Sequence, residues 1–115
     1  MIPARFLVVA ATALIASPVC YAHDYPTSDR VEFVLECMRD HEGGEFELRT
    51  KCSCVIDRLA EQYSYDDFVE AQTAAKAITI AGERSAILRD NEQTQKLARS
   101  YRDAYRKAAQ ACFLK

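Results

Sequence analysis

The chain has 115 residues; half are hydrophobic when Tyr and Cys are counted, 28% are charged, and the formal net charge is −2 at pH 7. That balance excludes a disordered tail and a collagen-like repeat, and the length excludes a two-domain enzyme. One small globular domain is expected.

Residues 1–22 read as an export signal. Arg5 is the only charged side chain, Phe6 to Ala16 is an unbroken apolar run, and Ser17 and Pro18 interrupt it. Cys20-Tyr21-Ala22 then offers small residues at the two positions a signal peptidase inspects. The run is too short to span roughly 30 Å of hydrocarbon. Val19 stands where a lipoprotein signal needs a small residue, so Cys20 is expected to leave with the leader. The expected mature product is residues 23–115, a single helical domain in the periplasm with no membrane segment.

The first predicted helix starts at Thr27 or Ser28, with Asp29 and Glu32 in its opening turn, where the helix dipole favours acids. Val31, Val34, Leu35 and Met38 give it an apolar face, and Gly43-Gly44 is expected to cap its end. In the second helix Leu48, Cys52, Val55, Ile56, Leu59 and Tyr63 follow the helical period as one stripe. Ser64 with Asp67 is a capping box opening a third helix over Phe68 to Ala81, which Gly82 closes. Asp90 with Gln93 repeats the box before a fourth helix, whose stripe is Leu97, Tyr101, Ala104, Tyr105, Ala108 and Cys112. The predicted architecture is an all-α, four-helix, disulfide-stapled domain.

The small net charge hides a segregation. His23 to Glu70 carries 13 acids and 5 bases, whereas Ala71 to Lys115 carries 9 bases and 4 acids. In one reading the basic last helix lies against the acidic ones and the fields partly cancel. In the other the surface stays dipolar and serves to find a partner or to form a dimer through the opposed halves. Nucleic acid is a poor partner, because the acidic half repels phosphate.

Four cysteines follow the leader: Cys37, Cys52, Cys54 and Cys112. An even number in a small exported chain predicts two disulfides. Cys52 and Cys54 lie about 200° apart around a helix, so a bridge between them is strained and each must look elsewhere. One joins Cys37 across the Gly43-Gly44 hairpin and the other Cys112; both pairings stay open, with 37–52 and 54–112 the better match in level. Two other readings compete. Cys37, His41, Cys52 and Cys54, with Met38 nearby, are soft ligands for zinc or copper. Cys52/Cys54 as a thiol–disulfide pair, or a cysteine nucleophile using His41, would make the chain a redox protein or an enzyme. There is no C-x-x-C-H, so no haem is expected, and no phosphate loop, H-E-x-x-H or G-x-S-x-G.

The carboxylates form two sequence clusters. Asp40, Glu42, Glu45 and Glu47 surround the Gly-Gly turn, and Asp66, Asp67 and Glu70 open the third helix. Oxygen-rich groups on a turn suit a hard cation such as calcium or a trivalent lanthanide. The ordinary reading makes Asp66 and Asp67 capping and dipole residues and leaves the turn acids solvated. The tyrosines and phenylalanines of the later helices are read as core.

Val34-Leu35-Glu36-Cys37-Met38, Gly43-Gly44, Lys51-Cys52-Ser53-Cys54-Val55-Ile56-Asp57, Ala81-Gly82-Glu83-Arg84 and Ala111-Cys112-Phe113 together resemble small exported proteins found with quinoprotein (PQQ-dependent) methanol and alcohol oxidation systems. The resemblance implies a periplasmic accessory role beside a dehydrogenase that uses PQQ with calcium or a lanthanide, lanthanide chaperones being among such proteins. It transfers no ligand set. The functional expectation is a non-enzymatic binding protein that handles a hard metal ion through the seven carboxylates. The alternative is an assembly partner of a periplasmic quinoprotein dehydrogenase or cytochrome.

Overall fold

The computed structural model describes residues 25–80, 86–87 and 89–115. The proposed signal, Cys20 and the Ala81-Gly82-Glu83-Arg84 string lie outside the described residues. Among the described residues the fold has four bounded helices, α1 (Thr27–Asp40), α2 (Glu45–Gln62), α3 (Tyr65–Thr79) and α4 (Glu92–Ala111), and no strand.

α1 begins directly after Pro26 without a side-chain cap, so neither Thr27 nor Ser28 plays the expected role. It stops at His41, ahead of the glycines. Gly43 instead makes the reversal, at φ +154°, where a Cβ would stand 3.3 Å from the Leu48 side chain. Gly44 is the N-cap of α2. At α3 the Ser64 hydroxyl accepts from the Asp67 N–H at 3.2 Å, as the capping-box spacing predicts. At α4 the expected Asp90 cap is displaced by one residue. Asn91 is the N-cap, its side-chain oxygen accepting from the N–H groups of Gln93 and Thr94 at 2.9 and 3.2 Å.

α2 is the hub and packs against the other three helices. Its stripe is as the period predicts: Leu48, Cys52, Val55, Ile56 and Leu59 are buried, and Val55, Leu59 and Cys52 are the largest fully buried side chains. Each such aliphatic side chain contributes about 1.5–3 kcal/mol on burial. α3 and α4 lie against each other through Ala71, Ala74, Ala77, Ala98 and Ala104, small residues that let two backbones come close. Ala98 belongs to that seam although it is off the predicted stripe. Leu97, which is on the stripe, is only half-buried.

Two disulfides staple the helices, Cys37–Cys52 between α1 and α2 and Cys54–Cys112 between α2 and the end of α4. This is the pairing favoured by level. α4 ends in a Schellman turn: the Phe113 N–H reaches the Gln110 carbonyl and the Leu114 N–H the Ala109 carbonyl, with Phe113 in the left-handed region at φ +60°. Leu114 folds back into the core while Phe113 stays exposed.

α1 is the outlier of the bundle. Its backbone approaches α2 alone, with no Cα within 8 Å of one in α3 or α4. Long side chains span the gap: Phe33 against Phe68 and Tyr105, Tyr65 donating to the Asp29 carboxylate, and Lys76 paired with Glu36 at 3.1 Å. The face of α1 that turns inward carries Phe33 and Cys37. Of the predicted apolar face, Val34 and Met38 are half-buried, whereas Val31 and Leu35 are 52% and 56% exposed.

Candidate functional site

The seven carboxylates named from sequence are all exposed, and the structure scatters them. Asp40 ends α1, Glu42 sits in the turn, and Glu45 and Glu47 occupy the first turn of α2, where Glu47 is paired with Lys51. Asp66 and Asp67 open α3 beside its N-terminal dipole, and Glu70 follows one turn later. Among the described residues no three His, Cys, Asp or Glu side chains come together to hold a metal ion. The donor set of these clusters therefore does not fit a calcium or lanthanide ion in this arrangement. The turn acids are spread over the end of α1, the turn and the start of α2, and Asp66, Asp67 and Glu70 stand exposed on one face of α3 with no further donor converging on them among the described residues.

The cysteine constellation resolves as structural. All four of these sulfurs are in bridges, which leaves no thiolate among the described residues to ligate zinc or attack a disulfide. His41 turns back onto its own helix, its Nδ1 donating to the Cys37 carbonyl at 2.8 Å. The two disulfides fit an oxidising compartment of the extracellular type. Among the described residues no helix is long and apolar enough to cross a membrane.

The gap left by α1 forms a cleft of about 300 Å³ floored by Phe33, Tyr101 and Tyr105, with the Glu36–Lys76 ion pair on its rim. Burial holds the Tyr101 phenol well above its ordinary range, and burial together with the Asp40 charge raises that of Tyr105. Both stay neutral at physiological pH. Here they act as packing groups, the Tyr105 hydroxyl lying 3.7 Å from the Cys37 sulfur.

The charge segregation survives folding. Among the described residues the interhelical ion pairs are Arg30–Asp57, between α1 and α2, and Glu36–Lys76, between α1 and α3. Among the described residues no ion pair joins α4 to another helix. Its Lys96, Arg99, Arg102, Arg106 and Lys107 are all exposed along one face, and their one ion-pair partner among the described residues is Asp103 of the same helix, which contacts Arg106. Arg99, Arg102 and Arg106 line a shared surface depression with Asp103. The basic helix does lie against α2 and α3, but it meets them through alanines and aromatics and keeps its cations outward.

No protein-family model, curated protein or solved structure matches this chain.

Proposed function

We propose that this chain is a non-enzymatic accessory protein of an oxidising compartment, the periplasm on the reading of residues 1–22, and that it works by docking to a protein partner along α4. The observation that carries the reading is the basic face of that helix, Lys96 through Lys107, which holds one acid, Asp103, paired with Arg106, and makes no ion pair with another helix among the described residues, set against a domain whose other exposed charges are mostly acidic. A separation of this kind steers encounter and fixes orientation, and suppresses partners of the wrong sign. The face selects an acidic surface. The resemblance supports a quinoprotein dehydrogenase or its cytochrome as the partner class, with this chain in an assembly role beside methanol oxidation.

The hard-metal reading finds no support in the arrangement of Asp40, Glu42, Glu45, Glu47, Asp66, Asp67 and Glu70. The docking reading is tested with purified PQQ-dependent methanol dehydrogenase and its cytochrome, by association rate over a salt series. The expected result is fast association at low salt, falling steeply as the Debye length shortens, and lost when Arg99, Arg102 and Arg106 are together replaced by Glu. Failure to bind either protein at low salt overturns the reading, as does unchanged binding by the charge-reversed variant.

A further inference from the structure

The backbone of α1 stays away from those of α3 and α4, and side chains alone close the space between them. The cleft of about 300 Å³ that results is at the lower end of the range for small-molecule sites, ~300–1,000 Å³. Residues of all three helices line it, over a floor of Phe33, Tyr101 and Tyr105. The ring centroids of Phe33 and Tyr105 are 6.1 Å apart and those of Tyr101 and Tyr105 6.4 Å, so the floor is one aromatic surface. It offers mainly ring area, because the Tyr105 hydroxyl is directed at the Cys37 sulfur.

The charges that line the cleft divide by sign. α1 contributes Glu36 and Asp40, whereas α3 and α4 contribute Lys76 and Arg102. Glu36 and Lys76 neutralise each other at 3.1 Å. Asp40 and Arg102 do not: neither takes part in an ion pair among the described residues, although both line the same cleft. The Asp40 charge adds to burial in raising the Tyr105 phenol, which places the carboxylate near the aromatic floor. Two opposite charges held apart on different helices leave the space between them to a molecule that carries both signs. A ligand with one charge would meet its own sign in the cleft, and an uncharged one would leave both groups without a partner.

We propose that this cleft binds a small zwitterion with an apolar body, of the size and kind of a free α-amino acid with an apolar side chain. Its ammonium goes to Asp40. Its carboxylate goes to the Arg102 guanidinium, whose paired N–H donors match two carboxylate oxygens. Its apolar part covers the Phe33, Tyr101 and Tyr105 rings. The covered apolar area supplies affinity, and the two charges fix orientation. The cleft shares Arg102 with the α4 face but does not rest on the docking reading.

Amide NMR shifts of the isotope-labelled exported chain, with both disulfides formed, test it with phenylalanine as the probe. The expected result is saturable binding with a Kd below about 1 mM, the shifts clustering where α1, α3 and α4 line the cleft. N-acetylphenylalanine lacks the cation, phenylalaninamide lacks the anion and glycine lacks the apolar body. Each should bind at least about tenfold more weakly. Asp40→Asn and Arg102→Gln should each weaken phenylalanine by a similar factor, with helicity unchanged because both side chains are exposed. A Kd above about 1 mM overturns the proposal. So does any of the three analogues binding as tightly as phenylalanine; for the N-acetyl form that result would mean an anion held by the α4 cations alone. Affinity indifferent to Asp40→Asn or to Arg102→Gln overturns it as well.

Discussion

The hydroxyl of Tyr25 donates to the backbone carbonyl of Tyr63 at 2.9 Å, tying the residue before the Pro26 cap of α1 to the C-cap of α2. Tyr25 is buried by this contact and by the rings of Tyr65 and Phe68. Because α1 has backbone contact with α2 alone, this bond and the Cys37–Cys52 bridge hold its two ends. Tyr25→Phe keeps the ring and deletes the bond, and should lower stability by about 1 kcal/mol in urea unfolding, the usual net worth of such a bond plus its stranded acceptor. A loss indistinguishable from zero would mean that water replaces the hydroxyl and that the ring alone anchors α1.

The same residue predicts an alkaline limit. Burial pushes the Tyr25 phenol up to about 12, and burial raises Tyr101 as well. In the unfolded chain these groups lose their protons near pH 10, before the folded chain does. Stability is therefore fully present below pH 10 and falls as pH rises from 10 towards 12. Urea midpoints measured across that window should drop progressively, and less so in Tyr25→Phe.

The two bridges should differ in worth. Cys54–Cys112 closes a loop of 58 residues and Cys37–Cys52 one of 15. Loop entropy then assigns about 4 and about 3 kcal/mol respectively. Paired Cys→Ser replacements of the 54–112 bridge should lower the melting temperature more than those of the 37–52 bridge. The reverse order would show that holding α1 to α2 matters more than constraining the unfolded chain.

Phe113 sits at φ +60° with its side chain 79% exposed. A left-handed conformation costs a residue with a Cβ about 1–2 kcal/mol, and this ring recovers little of that by burial. Phe113→Gly should therefore stabilise the domain by about 1 kcal/mol in thermal or urea unfolding. A destabilised variant would reveal a contact made by the ring that outweighs the strain.

Native mass spectrometry with added calcium, lanthanum or zinc should show the oxidised chain with no ion held stoichiometrically, since the carboxylates do not converge and the sulfurs are bridged. A retained lanthanum or calcium, abolished when Asp40, Glu42, Glu45 and Glu47 are changed to their amides, would restore the metal reading.

Local chemistry and helical period already determine much of this protein. The α2 stripe, the Ser64 cap, the all-α class and the two-disulfide framework are legible because each depends on residues close in sequence or on a repeat that survives any packing. Level along the α1–α2 hairpin only favours the pairing of Cys37 with Cys52 and Cys54 with Cys112 over its alternative, and the tertiary structure decides it. Position by position, the limits also have local causes. Asp90 and Asn91 are both good caps, and only the register of α4 selects Asn91. On α1, apolar side chains from Phe33 round to Leu35 cover more than half the circumference, so the period cannot say which arc is inside. Tertiary structure decides that, through the bridge at Cys37 and the fit of Phe33 against Phe68 and Tyr105, and it turns Val31 and Leu35 out. Tertiary structure also disperses the acids that looked like a cation site, and leaves the cations of α4 without interhelical partners among the described residues. Sequence neighbours on a helix diverge by about 100° per residue, whereas a site needs groups that converge, and convergence is a property of how helices are placed rather than of what they contain.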